Sequence, residues 1–504
     1  MPDVQPSPSS RSRRSPGLLL AAGIVLLALG VLGGILVARG GPTARPIGLP
    51  VQTTKPNIVL ILTDDQRWDQ LSHMPTVRSQ LIGKGVDFAN GFVVDPLCCP
   101  SRTTILTGKY SHSTGIYWND PPHGGFQDFR HEEGSTVATW LHAADYRTAL
   151  IGKYLNGYEP SDTSHVPPGW DVWDAMALSG EGDGEGGYSN YVLSENGRQV
   201  RYGDSPADYS TDVLSRLATR FITDTPASQP FFLYYAPRAP HLPSTPPPRY
   251  ANACPNLKPL RPPSYNQADV SDMPAYVRSI PPMKAGRRAL DDRIALDNCR
   301  ALLGVDDSVK AILGALQRTG RLSNTLIVYA SDNGFMLGEH RLTGKAVPYE
   351  ESIRVPIVVR YDPLTHGAPR TDQHLALNLD FAQTFAALAG VRAPGAEGRN
   401  LLPLLKNPDA PWRARFLVEH WEPPRADPPG APTADRGRPP YCAVRSTTHM
   451  YVKYATGEQE LYDVRTDPYE LHNLAGDSAD RALLDRLHRR MVVLCNPPPP
   501  GFTP

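Results

Sequence analysis

Three uninterrupted apolar runs are the clearest pattern along the chain, at residues 57–62, 231–235 and 325–329. Each has the length of a strand, and none alternates between polar and apolar positions, which is typical of strands buried on both faces of a parallel sheet. Residues 297–317 and 379–388 carry apolar residues at helical spacing instead. Strands that alternate with helices predict an α/β domain with a large, mostly parallel sheet sandwiched by helices.

The C-terminal part of the chain has a different pattern. Residues 441–445, 450–454 and 460–463 have the composition of short antiparallel strands, and residues 479–495 predict an amphipathic closing helix. A proline-rich stretch precedes them and indicates a connection between two units. We therefore predict the following division after residue 55: catalytic domain, 56–421; proline-rich connection, 422–440; small C-terminal subdomain, 441–495; disordered tail, 496–504.

The N-terminus has an uncharged apolar run at residues 17–37, preceded by Arg11, Arg13 and Arg14. The run matches the roughly 20 residues of a membrane-spanning helix and exceeds the apolar stretch of about 7–15 residues in a cleaved signal peptide. The arginines favour a cytoplasmic location for that flank. We predict a cytoplasmic N-terminus (1–16), a transmembrane signal anchor (17–37) and a linker (38–55), with the catalytic domain outside the cytoplasm. Secretion after signal cleavage is the alternative.

Composition narrows the class of protein further. The chain has 51 basic and 51 acidic residues, so no global charge indicates a nucleic-acid partner, and none is expected. Six cysteines in 504 residues are too few for a disulfide framework. Export would permit individual disulfides. Cys442–Cys495 and Cys254–Cys299 are candidate pairs, and the sequence establishes neither.

Acidic pairs follow two of the predicted strands directly, as Asp64-Asp65 and Asp332-Asn333. Ligands of parallel sheets bind beyond the carboxyl ends of the strands, where both pairs lie. Adjacent carboxylates repel each other and lose hydration on burial, and a hard divalent cation such as calcium or magnesium relieves both costs. A turn or a helix N-cap is the alternative for either pair alone, because Asp and Asn favour both.

A pair of cysteines begins the segment Cys98-Cys99-Pro100-Ser101-Arg102. Taken alone, adjacent cysteines in an exported protein favour structural thiols or disulfide partners. The residues that follow predict a helix whose first N–H groups face any bound anion, and Arg102 adds a bidentate cation.

The stretch from Cys98 to Lys109 resembles the signature of type I sulfatases, members of the alkaline phosphatase superfamily. Further motifs of the family follow in order over nearly everything after residue 55: Pro56-Asn-Ile-Val, Gly152-Lys-Tyr, Ala239-Pro-His, Ser331-Asp-Asn-Gly, Gly338-Glu-His-Arg-Leu-Thr-Gly-Lys, Glu351-Ser-Ile-Arg-Val-Pro and Glu460-Leu-Tyr-Asp-Val-Arg-Thr-Asp-Pro. The resemblance implies an alkaline phosphatase-like fold. Gly152-Lys-Tyr-Leu-Asn, together with Cys98-Cys-Pro-Ser-Arg, is similar to the N-acetylglucosamine-6-sulfatase branch.

The resemblance also implies a metal and a modified residue. In the family, a formylglycine-generating enzyme oxidises the first signature cysteine, here Cys98, to formylglycine (3-oxoalanine). Ca²⁺ is the usual ion, with Mg²⁺ as the alternative. The matching metal ligands are Asp64, Asp65, Asp332, Asn333 and modified Cys98. The positions matching sulfate contacts are Lys153, His241 and Lys345, while Arg102 matches the arginine that supports the nucleophile.

The implied mechanism begins with hydration of the formylglycine aldehyde to a diol, one hydroxyl of which attacks sulfur. Arg102, Lys153 and Lys345 would neutralise the developing charge, and His241 would protonate the leaving alcohol. The second hydroxyl would then lose its proton as sulfate leaves. One departure affects this last step: Leu155 occupies a position that is histidine in many sulfatases. The base is therefore left open, with His112 and His340 nearest to other motifs.

We therefore expect a sulfuric ester hydrolase that acts on a sulfated sugar or glycan, or on an aryl sulfate. Two alternatives stay open. One is a phosphonate monoester or phosphodiester hydrolase of the same superfamily, and the other is a non-catalytic protein that binds sulfated glycans. Residues 160–208 and 237–282 are the predicted specificity loops.

Overall fold

The computed structural model describes residues 54–178, 187–258, 260–423 and 438–504. Its strands are β1 Asn57–Thr63, β2 Val86–Phe92, β3 Arg147–Lys153, β4 Val172–Ala177, β5 Val192–Glu195, β6 Arg198–Arg201, β7 Phe231–Ala236, β8 Thr325–Ser331, β9 Met336–Leu337, β10 Thr343–Gly344, β11 Ile357–Arg360, β12 Arg370–Leu377, β13 Arg415–His420, β14 Tyr441–Ser446, β15 His449–Tyr454 and β16 Gln459–Asp463. Its α-helices are α1 Cys98–Thr107, α2 Ser111–Thr114, α3 Gly125–Phe129, α4 Val137–His142, α5 Ser210–Asp224, α6 Ala275–Arg278, α7 Ala285–Arg318, α8 Glu350–Ile353, α9 Asp362–Thr365, α10 Asp380–Ala389, α11 Leu402–Lys406 and α12 Arg481–Leu494.

A ten-stranded sheet, in the order β12-β2-β11-β8-β1-β7-β3-β4-β5-β6, forms the centre of the catalytic part. Five of its nine neighbouring pairs are parallel, and four are antiparallel. The predicted α/β class is confirmed. The parallel pairs include the four adjacent strands β8, β1, β7 and β3, so their carboxyl ends lie side by side at one edge.

Both faces of the sheet are buried, as the continuous apolar runs predicted. On β1, Ile58 and Leu60 belong to a core that also contains residues of α1, α4 and α10. Val59 and Ile61 point to the opposite core, which contains residues of α5 and α7. Helices on each face thus bury the alternating halves of the same strand, and the apolar contacts fix the sheet as a rigid base for its loops.

The C-terminal subdomain is a four-stranded antiparallel sheet with α12 packed on it, which confirms the predicted small sheet and closing helix. The predicted division differs from the structure at one point. Strand β13 precedes the proline-rich segment and pairs along its length with β14, so the sheet begins before residue 421. The prediction of a disordered tail is wrong as well, because Phe502 is buried in the core beneath α12.

Both candidate disulfides are present in the structure. Cys442 and Cys495 join β14 to the end of α12, and Cys254 and Cys299 join a loop to α7. The predicted signal anchor at residues 17–37 lies outside the described residues. Among the residues that the structure describes, no helix combines the length and apolar character needed to cross a membrane.

Candidate active site

The candidate site lies where the four parallel strands β8, β1, β7 and β3 end. Asp64 and Asp65 directly follow β1, and Asp332 and Asn333 directly follow β8. Lys153 is the last residue of β3. Since β1 and β8 pair in register up to Thr63 and Ser331, their polar successors are brought together at one edge of the sheet.

The two acidic pairs contact each other across this edge. The backbone N–H of Asp65 donates to Asp332 Oδ1 at 3.1 Å, and Asn333 Nδ2 donates to Asp65 Oδ1 at 2.6 Å. Asp65 has a φ of +67°, a left-handed conformation that Asp adopts more readily than most residues. All four side chains are buried. The strand ends therefore form one acidic cluster rather than two separate turns.

Cys98 enters this cluster from helix α1. Its Sγ lies 3.4 Å from Asp64 Oδ1, 4.0 Å from Asp65 Oδ1 and 2.8 Å from Lys345 Nζ. The helix begins at Cys98 itself rather than after it. The N–H of Cys99 donates to Asn119 Oδ1 at 3.0 Å, so this N–H group is already paired within the protein and is not available to bind an anion.

Three cations surround the carboxylates. Lys153 Nζ lies 2.6 Å from Asp64 Oδ2, and Lys345 Nζ contacts Asp65. Arg102 Nε lies 2.8 Å from Asp332 Oδ2, and its Nη1 donates to the backbone oxygen of Lys153 at 2.9 Å. Three carboxylates thus face three side-chain cations, and the protein part of the site is formally neutral. A bound divalent cation would make it positive and attractive to an anionic ester.

Burial and these charges shift the pKa values of the site. Burial alone would raise the pKa of Asp64, but Lys153, His241 and Arg102 hold it well below its usual range. For Cys98, burial and the charge of Asp64 raise the pKa of the thiol to about 12. The unmodified thiol is therefore neutral at neutral pH and a weak nucleophile.

His241 is the histidine that the structure brings to the cluster. Its Nδ1 lies 2.7 Å from the backbone oxygen of Leu242, which can only accept, so Nδ1 carries a proton. Its Nε2 is turned to the cluster, 3.7 Å from Asp65 Oδ2. Tyr188 donates to the backbone oxygen of His241 at 2.7 Å and positions the loop.

The two histidines considered as alternative bases are placed elsewhere. His112 pairs with Glu419 through Nδ1 at 2.9 Å. His340 is fully buried, with Nδ1 2.7 Å from Gln267 Oε1 and its ring against Tyr349. Among the described contacts, neither histidine touches Cys98 or the acidic pairs. His241 is therefore the histidine whose position suits proton transfer at this site.

The donor set fits a hard cation. Asp64, Asp65, Cys98 and His241 offer atoms within 4.8 Å of one another. Next to them, Asn333 Oδ1 is buried without a hydrogen-bond partner among the described residues, although an amide oxygen rarely stays unpaired in a core. Carboxylate and amide oxygens are ligands that Ca²⁺ and Mg²⁺ prefer. The residues present can hold such an ion, with Asn333 Oδ1 satisfied by it.

A cleft of about 1330 Å³ opens above the cluster and reaches Asp65, His241 and Lys345. Residues 238, 241–243 and 280–282, parts of one predicted specificity loop, line it, whereas no lining residue comes from the described part of 160–208. The first turns of α7 line it too, which the sequence pattern did not predict. Arg238 was also missed, because a single arginine in a proline-rich loop carries no pattern. Its only signal was its place just before Ala239-Pro-His241.

The fold is that of alkaline phosphatase-like hydrolases. A family model described as sulfatase matches residues 56–391, and one described as the C-terminal part of N-sulphoglucosamine sulphohydrolase matches residues 338–496. The chain therefore belongs to the sulfatase family, as the signature at Cys98 predicted.

Two relatives illustrate the range of the family. The N-acetylglucosamine-6-sulfatase of Homo sapiens is 31% identical over 97% of this chain and 91% of its own length. A putative extracellular sulfatase Sulf-1 homolog of Caenorhabditis elegans is 34% identical over 73% of this chain. This chain spans about half of that protein's length, since the match covers 53% of it.

Solved structures show the same architecture. A protein in complex with its substrate D-glucosamine-2-N,6-O-disulfate superimposes with a TM-score of 0.74 at 25% identity, over 88% of this chain and 98% of that protein. The phosphonate monoester hydrolase of Agrobacterium radiobacter superimposes with a TM-score of 0.65 at 20% identity, over 88% of this chain and 96% of that protein. This second likeness concerns the fold alone.

Proposed function

We propose that this protein hydrolyses sulfate monoesters of a sugar or glycan to the alcohol and inorganic sulfate, with Cys98, converted to formylglycine, as nucleophile. The observation that carries the proposal is the position of Cys98 Sγ, within 4.0 Å of both Asp64 and Asp65 and beside Lys345. A nucleophile placed beside carboxylates needs a cation to offset their negative charge. Cys98 is also the residue of the family signature that is modified to formylglycine. The membership of the chain in the sulfatase family supports the reaction class.

The proposed metal is a divalent cation, with calcium as the preferred ion. Asp64, Asp65, Asp332 and Asn333 would hold it together with the modified side chain of Cys98. When bound, the cation would polarise the hydrated aldehyde and the ester oxygens, which favours attack on sulfur. The modified residue itself supplies an oxygen nucleophile with a second hydroxyl, from which the aldehyde can re-form.

The remaining residues bind the anion and handle the proton. Lys153 and Lys345 place ammonium groups beside the acidic cluster and would compensate the charge that builds up on the sulfate oxygens. Arg102 holds Asp332 in place through their ion pair. His241 would deliver a proton from Nε2 to the leaving alcohol as an imidazolium ion, because Nδ1 keeps its own proton on the backbone oxygen of Leu242. Burial lowers the pKa of His241 to about 4, and the negative charge of a bound sulfate ester would favour the imidazolium that this step needs.

The decisive experiment compares Cys98→Ala with the matched variant Cys99→Ala. Both cysteines are buried free thiols in the same helix, but only Cys98 reaches the cluster. Sulfate release from sulfated monosaccharides and aryl sulfates should disappear in Cys98→Ala and persist in Cys99→Ala, with both proteins folded by circular dichroism. Mass spectrometry of the wild-type peptide should show the aldehyde at position 98. Full activity in folded Cys98→Ala would disprove the nucleophile.

A phosphonate monoester hydrolase is the second candidate, favoured by the shared fold with the enzyme from Agrobacterium radiobacter. The two ester classes have similar charge and geometry at the reacting atom. Matched aryl sulfate and aryl phosphonate esters separate the candidates through kcat/KM. We expect the sulfate to be preferred, and a clear preference for the phosphonate would reassign the reaction.

We also propose that the catalytic domain functions outside the cytoplasm. Its two disulfides are the form that cysteines take in oxidising compartments, and relatives named as extracellular sulfatases support the same location. The formylglycine-generating enzyme would be a transient partner during maturation. A gel-shift assay for free thiols on protein from its native host would find two reactive cysteines or fewer after unfolding, whereas four or more would contradict export.

A further inference from the structure

Arg238 is a buried cation for which the residues that the structure describes offer no counter-ion. Arg238 is 7% exposed, and its Nε is buried without a hydrogen-bond partner within the described residues. No described ion pair or hydrogen bond engages the guanidinium group. A buried charge of this kind is costly unless an anion compensates it. By contrast, Arg102, Lys153 and Lys345 each contact a carboxylate of the cluster.

The place of Arg238 suits a ligand of the active site. It lines the cleft together with His241, whose backbone N–H donates to the backbone oxygen of Arg238 at 2.9 Å. The Arg238 stem lies beside Gly187, where a Cβ would meet Arg238 Cδ at 3.3 Å. Arg238 therefore lies in the cleft wall, three residues before the histidine that would protonate the leaving group.

The rest of the cleft is cationic too. Its lining includes more basic than acidic side chains: Arg238, Lys284, Arg287, Arg293, Arg341, Lys345 and Arg438 against Asp65 and Asp297. Of these, Arg287 and Arg293 already have acidic neighbours on α7 at 3.1 and 3.2 Å, and Arg341 donates to backbone oxygens. Arg238 is thus the lining cation that combines burial with the lack of any described partner.

We propose that Arg238 binds a second anionic group of the substrate, a sulfate or carboxylate placed close to the ester that is cleaved. The inference rests on the proposed sulfatase activity and specifies its substrate class as a sugar with at least two negative substituents. Guanidinium binds such groups through paired hydrogen bonds. The apolar side of the cleft, with Leu242, Ile280 and Phe335, offers a surface for the sugar ring.

The test compares D-glucosamine-2-N,6-O-disulfate with N-acetyl-D-glucosamine-6-sulfate, which lacks the second anion, as substrates for release of the 6-sulfate. Wild-type protein should prefer the disulfate in kcat/KM. In Arg238→Leu, this preference should fall about tenfold or more, mainly through KM, as expected for loss of a charge-assisted contact. The preference of Arg238→Lys for the disulfate should lie between that of the wild type and that of Arg238→Leu. Arg198→Leu, which removes an exposed arginine on β6, serves as the matched control and should keep the preference.

Equal losses of kcat/KM on both sugars in Arg238→Leu would overturn the inference, because Arg238 would then bind the sulfate that is cleaved or stabilise the fold. A structural role also predicts a lower Tm, whereas removal of an uncompensated buried charge should leave Tm unchanged or raise it. If the wild type cleaves aryl sulfates through Cys98 but prefers the monosulfated sugar, this inference fails and the proposed function stands.

Calorimetric measurement of sugar binding to Cys98→Ala distinguishes a failure of this inference from a failure of the proposed function, because it needs no turnover. Tighter binding of the disulfate that is lost on adding Arg238→Leu supports the subsite even if no ester is hydrolysed. Equal affinity for both sugars in Cys98→Ala refutes it.

Discussion

Replacing Arg102 by methionine should destabilise the fold through Asp332. The Arg102 side chain is fully buried, as is the Asp332 carboxylate that lies 2.8 Å from its Nε. Methionine keeps much of the length of the side chain but leaves Asp332 without its closest cation. Removing one partner of a buried ion pair typically costs about 3–5 kcal/mol, because the other charge stays behind in a dry environment. We expect a loss of that size in metal-free protein.

A double-mutant cycle with Asp332→Asn measures the pair itself. The four free energies of unfolding come from denaturation in guanidinium chloride, followed by tryptophan fluorescence. They are measured for the wild type, both single variants and the double variant. Asp332→Asn alone should also destabilise, because it leaves the Arg102 guanidinium with the more distant carboxylate of Asp64, 3.7 Å from its Nη2, as its counter-ion. The double variant should lose about 2–3 kcal/mol less than the sum of the singles, the upper range for residues in direct contact. Additive losses would show that the two side chains do not stabilise each other.

The stability lost in Arg102→Met should also depend on calcium. If Asp332 is a metal ligand, the ion supplies positive charge to the carboxylate that Arg102 leaves behind. Saturating calcium should therefore reduce the cost of Arg102→Met, measured as the difference in unfolding free energy between metal-free and metal-loaded protein. An unchanged cost at saturation would argue against Asp332 as a ligand, and a cost below about 1 kcal/mol without metal would refute the buried-pair reasoning.

Three further predictions concern the metal, a buried acid and a disulfide. Chelation should abolish sulfate release and added calcium should restore it, whereas full activity in protein shown to be free of metal would exclude a catalytic ion. Glu460 is buried, and burial raises the pKa of its carboxyl to about 7 despite hydroxyl donors such as Tyr462. The contribution of Glu460 to stability should therefore fall as pH rises from about 4.5 through 7, and Glu460→Gln should remove this fall from a Tm profile; wild-type and variant profiles that run parallel would contradict the assignment. Replacing Cys442 and Cys495 together by alanine opens a link that spans 53 residues and should cost about 4 kcal/mol in unfolding free energy, with no loss if the bridge is absent from the wild type.

The parts of the fold that followed from the sequence are those with a local signal. A continuous apolar run followed at once by acidic residues predicted both the buried strand β1 and the cluster at its end. Helix α7 was predicted from residue 297 only, because its first turns carry charged residues that line the cleft and have no apolar periodicity. Strand β13 was missed because its partner β14 lies beyond a proline-rich segment.

The site divides in the same way. Asp64 and Asp332 could be proposed as ligands from their positions alone, whereas Lys345 and His241 needed the resemblance to a family, since a lone lysine or histidine carries no pattern. Arg238 could not be found by either route. Its interest comes from burial without a counter-ion among the described residues, which is a property of the assembled tertiary structure and of no sequence window.

The burial of Cys98 imposes an order on maturation. In the finished fold the residue is 1% exposed, and every residue of α1 is buried around it. An enzyme that oxidised this thiol would have to contact it directly, and the packed helix does not expose it. The proposed conversion of Cys98 would therefore have to precede closure of the domain, while the segment is still newly made chain. Protein that folds first would keep its thiol permanently, so the fraction of active molecules would be decided during synthesis and export.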